Sequence, residues 1–315
     1  MAFVWLVLLI VILYTWQPFN DWLRLLGYAP PIEISSLAAN DTMTDTARHT
    51  FYLNKPLLVD KTKFDAYCKA GSEHTIILGC YRSGERGIFL LDVTDSRLAG
   101  VEQVTAAHEM LHGAYERLDG AQRQQVNGML TDYYNHSLKD KRVLDTLAAY
   151  QKSEPNDITD EMHSIFGSEI ATLPQNLEMY YRRYFTDRSA VVRYAESYEQ
   201  EFTGRQQQIT DYDAKLAAMK QQIDKNEADL QNIQADLRTR RNRMDRLQAS
   251  GQFEAYNEAV PGFNALVDTY NAQIADTKQL IARYNEIVAA RNNLLLEEQQ
   301  LMQALNTNLI PAPAQ

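Results

Sequence analysis

The chain has 315 residues, 45% of them hydrophobic and 23% charged, enough apolar material for about two packed domains. Its formal net charge of −10 lacks the basic surplus that a phosphate backbone demands, so no nucleic-acid partner is expected. The two cysteines, Cys68 and Cys80, form no C-x-x-C pair, which argues against a thiolate metal cage; they imply either one disulfide in an oxidising compartment or two separate buried thiols.

From Ala2 to Trp16 there is no charged residue. Those fifteen residues span about 22 Å as a helix, short of a hydrocarbon core of about 30 Å, and Met1 with residues 17–19 lengthens the run. Trp5, Tyr14, Trp16 and Trp22 suit the two interfaces. No small-residue cleavage site follows, so an uncleaved anchor over 1–22 is expected and a single-pass membrane protein implied; a buried core helix is the alternative. Arg24 after the span weakly favours a cytoplasmic domain, and a disulfide favours an extracytoplasmic one; the extracytoplasmic placement is the expectation taken. Residues 28–48 are rich in Pro, Ser, Thr, Asn and Asp, and 23–48 is expected to be a linker.

A short helix is expected from Asp60. "HTIILGCY" and "GIFLLDV" are β-rich runs separated by "RSGER", a strand–turn–strand signal. The helix carrying "VTAAHEMLHGAYERL" begins near Val101. Further helices are expected through "AQRQQVNGMLTDYYNHSL", over 141–151, and from "SEPND" to about Leu173, where Pro174 stops the helix. From about Val191 glycine and proline nearly vanish. Ile209, Tyr212, Leu216, Met219, Ile223, Asn226, Leu230, Ile233, Leu237, Arg240, Met244 and Leu247 alternate in steps of three and four. A second register runs Val267, Tyr270, Ile274, Thr277, Ile281, Tyr284, Val288, Arg291, Leu295. Such repeats predict an antiparallel coiled-coil hairpin over 191–308, joined by a loop holding Gly251 and Pro261. A parallel dimer of separate arms and a plain bundle are the rivals, and a protein partner or self-association through the hairpin is implied.

In "HEMLH", His108 and His112 stand one helical turn apart on one face and can point both imidazoles at one cation. Glu109, rotated about 100° from His108, can stand beside the metal without binding it and act as general base. A helix with two ordinary histidines is the alternative. The stretch resembles the zincin metallopeptidases, matching their H-E-x-x-H in its expected place after a β-hairpin. The resemblance implies Zn2+ held by His108 and His112, Glu109 as catalytic base, and an edge strand, "GIFLLDV" or "HTIILGCY", that aligns a peptide or protein substrate.

A third ligand is needed. Leu118 stands where the metzincin branch has its third histidine, so the gluzincin branch fits better, with a carboxylate from a later helix. "EMHS" resembles that branch's E-x-x-A/S pattern and makes Glu161 the first candidate, with Glu169 second and His163 third. Ile165 stands where an acid often follows. Tyr180, Tyr181, Tyr184, Arg182 and Arg183 are oxyanion-stabilising candidates or, better, an aromatic core stripe with solvated arginines. The expected fold class is α+β, mostly helical: anchor 1–22, linker 23–48, zincin-like domain 49–190, helical hairpin 191–308. The expected function is zinc-dependent peptide-bond hydrolysis at a membrane. The rival is a non-enzymatic envelope scaffold working through its coiled coil.

Overall fold

The computed structural model describes residues 18–68, 78–83, 87–153, 155 and 157–305. Most of the expected anchor, 1–22, lies outside the described residues. Among these no helix is long and apolar enough to cross a membrane. The fold is mostly helical with one small sheet, and the chain divides into two compact units. One comprises residues 1–201 with 301–315, the other 202–300.

In the first unit, residues 18–25 form a helix, α1. The expected linker is folded instead. Pro31, with φ −53°, opens α2 (Ile32–Asn40), where a proline's fixed φ suits helix entry. Ile34, Leu37 and Ala38 lie on one face of α2 and are buried. Thr44 caps α3 (Asp45–Leu53) by accepting the Ala47 amide, a hydroxyl satisfying an otherwise orphaned donor. The Pro-, Ser- and Thr-rich composition that suggested a linker supplies helix starts, and the short apolar stripes between them fill the core.

The sheet has the order β1–β3–β2. β3 (Gly87–Leu91) lies between β1 (Leu57–Val59), parallel to it, and β2 (Gly79–Arg82), antiparallel with Cys80 opposite Phe89. All five residues of β3 are buried, which is why "GIFLL" shows no alternation. β1 was not foreseen, being too short for a period-two pattern. Residues 74–77 of the run "HTIILGCY" lie outside the described residues. Asp60 caps α4 (Lys61–Tyr67), and Cys68 just beyond it is disulfide-bonded to Cys80 of β2, with Cα atoms 5.7 Å apart. Of the two cysteine readings, the structure shows the bridge.

α5 (Val101–Glu116) begins after Gly100, whose φ of +101° is a left-handed conformation that glycine adopts without strain. It packs on α2, α3, α8 and the sheet, so most of its circumference is buried. A reciprocal Asp119–Gln122 capping box opens α6 (Gly120–His136), and α7 (Lys141–Ser153) and α8 (Ile158–Glu169) follow. α8 ends four residues before the expected Leu173. α9 (Gln175–Tyr181) starts after Pro174.

The first residues of α10 (Arg188–Ala249) belong to the first unit. Val191, Val192 and Ala195 are buried. Arg188 donates to the carbonyls of Ile170 at 2.5 Å and Ala171 at 3.2 Å and pairs with Glu178. The expected domain boundary near 191 therefore moves to 201, because composition changes before packing does. At the other end Leu301 and Leu305 are buried in the same unit, where Lys61 donates to the Gln303 carbonyl at 2.6 Å.

The second unit is a helical hairpin of α10 and α11 (Phe253–Leu305). The helices are antiparallel: Asp213 meets Arg291 and Asn226 meets Thr277. The turn at residues 250–252 uses Gly251 at φ +75°. Pro261, expected in the loop, lies inside α11. The α10 register is half-buried or buried at each named position except Arg240. In α11 the register holds at seven of its nine named positions. Ile281 and Leu295 are 37% exposed, while Leu280 and Leu294 beside them are half-buried and Thr277, Tyr284 and Arg291 keep their places. The pairs Leu266–Val267, Leu280–Ile281, Ile287–Val288 and Leu294–Leu295 are apolar at both positions, so the pattern alone cannot choose between adjacent stripes.

Candidate metal centre

α5 and α8 build the site. His108 and His112 project from α5 toward Glu161 in the first turn of α8. The two Nε2 atoms are 3.1 Å apart. Glu161 Oε1 is 3.6 Å from His112 Nε2, and Oε2 is 3.7 Å from His108 Nε2. One ligand atom from each residue falls within 4.8 Å of the others. A tetrahedral ion with ligand bonds of about 2.0–2.1 Å has ligand-to-ligand edges of about 3.4 Å. The observed separations straddle that value, so the donor set can hold a small divalent cation such as zinc without large movement.

The close approach of α8 to α5 depends on small residues. A Cβ on Gly167 would stand 2.4 Å from Leu111 Cδ1 and 2.7 Å from Tyr181 Cε1. Ser164, the small residue in "EMHS", is fully buried. Glu161 and Asp160 both stand at the N-terminal end of α8, where the helix dipole favours negative charge.

His112 donates from Nδ1 to Asp160 Oδ1 at 2.9 Å. Such a carboxylate fixes the ring so that Nε2 faces the ligand position. Asp160 was not foreseen from sequence, because the pattern that nominates Glu161 places its accompanying acid after the small residue, where Ile165 stands, and not before the glutamate. Its signal is its place immediately before Glu161 in the same helical turn, close enough for a helix packed on α5 to offer both carboxylates. Burial opposes charge on His112, but its bond to Asp160 and the charges of Glu161, Asp160 and Glu109 outweigh that and raise it to about 10. Burial, with His112 and His163 nearby, holds His108 well below the usual imidazole range. The pair thus shares one proton, given by His112 and accepted by His108, at the point where a cation would sit. A cation bound there would have to displace it, so its affinity would rise with pH.

Glu109 is 6% exposed. Gly79 of β2 lies against it: a Cβ there would be 2.8 Å from Glu109 Oε1. The Tyr81 amide hydrogen-bonds its carboxylate, and burial pushes its pKa up to about 7, the range useful to a general base at neutral pH. Because β3 is paired on both sides, β2 is the edge strand at this centre. That resolves which of the two runs has an edge to offer.

The other candidates lie elsewhere. Glu169 pairs with Arg142 at 2.7 Å, and Arg142 also meets Glu199 at 2.7 Å. His163 is fully buried, with Nε2 2.9 Å from the Tyr180 hydroxyl. The Tyr181 hydroxyl donates to the His163 carbonyl at 2.8 Å. Tyr180, Tyr181 and Tyr184 surround the His163 ring, forming the expected aromatic core, and burial depresses His163 to about 3. Beside the triad lies a cavity of about 200 Å³, bordered by His108, Glu109, Arg142, Tyr150, Glu169 and Tyr198. The chain matches no protein-family model, no curated protein and no solved structure.

Proposed function

We propose that this chain is a zinc-dependent peptidase of gluzincin type, anchored to a membrane with its hydrolytic unit outside the cytoplasm. The observation that carries the reading is the convergence of His108, His112 and Glu161 at tetrahedral spacing with the buried Glu109 beside them. Zinc, when bound, supplies Lewis-acid polarisation of a carbonyl and makes water acidic enough to ionise near neutral pH. Glu109 would serve as the proton carrier of this site, accepting from a water beside it and passing the proton to a leaving amine. Asp160 keeps the His112 ring oriented, and the edge of β2 is available to align a substrate backbone beside Glu109. The Cys68–Cys80 bridge supports placement in an oxidising compartment.

The test is metal analysis and cleavage of a quenched-fluorescent peptide library by the purified chain. About one zinc per chain is expected. Glu109→Gln should keep the metal and lower the hydrolysis rate at least about 100-fold. Glu161→Gln should lose both, and Glu169→Gln should keep the metal. A chain that binds no metal, or a Glu109→Gln variant that cuts at the native rate, overturns the reading and leaves a scaffold acting through its hairpin.

A further inference from the structure

The helix α1 is amphipathic in the reverse sense. Phe19, Trp22, Leu23 and Leu26 follow the spacing of one helical face, and their exposures are 53%, 57%, 46% and 63%. The Phe19 and Trp22 rings stack with centroids 6.1 Å apart. The polar side chains face the protein. Asp21 is 4% exposed. It accepts from both terminal nitrogens of Arg117, at 2.5 and 3.3 Å, and lies 3.4 Å from His49 Nε2. Arg24 donates from Nε to the Leu53 carbonyl at 3.1 Å. A helix on the surface of a water-soluble body buries its apolar stripe and wets its polar one. Here the polar side is fastened to the body and the aromatic side is offered outward.

We propose that this outward face lies in the interfacial layer of a phospholipid bilayer, so that α1 is a docking surface fixing the posture of the first unit on the membrane. The proposal rests on the anchor reading of the preceding residues. Ala2–Trp16, which carry no charge, lead directly into α1, so the chain enters this unit at the patch itself. Tryptophan and phenylalanine favour the headgroup boundary, and a short helix with bulky apolar residues on one side lies flat there. The fastening leads to α5, because Arg117 closes the end of that helix. His112 and His108 stand five and nine residues back along the same helix, roughly 8 and 14 Å. A bilayer under α1 therefore sets the height of the metal centre above the lipid.

The full chain, reconstituted in phosphatidylcholine vesicles, tests this with an environment-sensitive fluorophore on Leu23→Cys and, separately, on Leu26→Cys. Both sites are exposed, so neither substitution disturbs the core. Blue-shifted emission at both positions, quenched several-fold by lipids carrying a nitroxide on the upper acyl chain, is the expected result. Water-like emission in a chain that floats with the vesicles overturns the docking surface and leaves the anchor standing. Blue-shifted emission that the lipid nitroxide does not quench also overturns it, since protein then covers the face. A chain that fails to float overturns the anchor as well.

Discussion

Asp41 is an ionisable residue that the proposed chemistry does not use. It is fully buried, neither carboxylate oxygen has a hydrogen-bond partner among the described residues, and burial raises its pKa well above the usual carboxylate value. A carboxyl whose folded pKa exceeds its unfolded one makes the protein less stable as pH rises above the unfolded value, because the folded state must then give up a proton it prefers to keep. Asp41→Asn should raise the unfolding temperature at pH 7 by a few degrees, because an amide carries no proton that folding must retain. The difference should fade toward pH 3.5, where both forms are neutral. Thermal melts of the two proteins across that range check it, and a gain that persists at low pH would show that charge is not the cause. Glu109 is also buried and raised, but the Tyr81 amide and a nearby cationic His112 partly offset its burial. The same physics gives an internal cost at one carboxyl and a base poised near neutrality at the other.

At the scale of elements, the contact between α5 and α8 decides whether the triad exists, because each helix carries part of it. Gly167 makes that contact possible. Alanine there would gain about 1 kcal/mol in helix propensity. Its Cβ would also overlap Leu111 and Tyr181, both fully buried and unable to move aside freely. Overpacking of this kind costs about 1–3 kcal/mol, so Gly167→Ala should lower stability on balance and weaken zinc binding together. Denaturant melts and a competitive zinc titration measure the two effects. Unchanged zinc affinity would mean that α8 carries Glu161 independently of its packing. The hairpin shows the same point at lower stakes. Asn226 bonds Thr277 at 3.2 Å across the seam, a polar pair of the sort that fixes register at some cost in stability.

For the whole molecule, two compact units with separate cores imply two melting events. On the proposed function, zinc would bind only the unit that contains His108, His112 and Glu161, and a ligand that binds the folded state alone raises its stability by mass action. Scanning calorimetry should therefore show one transition that rises by several degrees with excess zinc and falls with chelator, and a second that does not respond. A single transition shifting as a whole would show that the units unfold together.

How much of this was legible beforehand follows from the range of each interaction. The convergence of His108 and His112, with Glu109 beside them, could be read because they sit within five residues of one helix, where spacing alone fixes the face. The α10 seam could be read because a seven-residue repeat is a local property. The α11 seam could be read the same way except at Ile281 and Leu295, where apolar residues stand at two adjacent positions and only the opposing helix selects between them. The core role of residues 32–53 and the strand at Leu57–Val59 were hidden, because short elements carry too little periodicity to show before they pack. Glu161 could be nominated from its pattern, but Glu169 was an equal kind of residue on the same helix. Its pairing with Arg142, and the bond from His112 to Asp160, join positions 27 and 48 residues apart. The sequence by itself determined that two imidazoles and a carboxylate share one turn of α5; only the tertiary structure decided which carboxylates of α8 stand beside them, because helices far apart along the chain must pack before their side chains can meet.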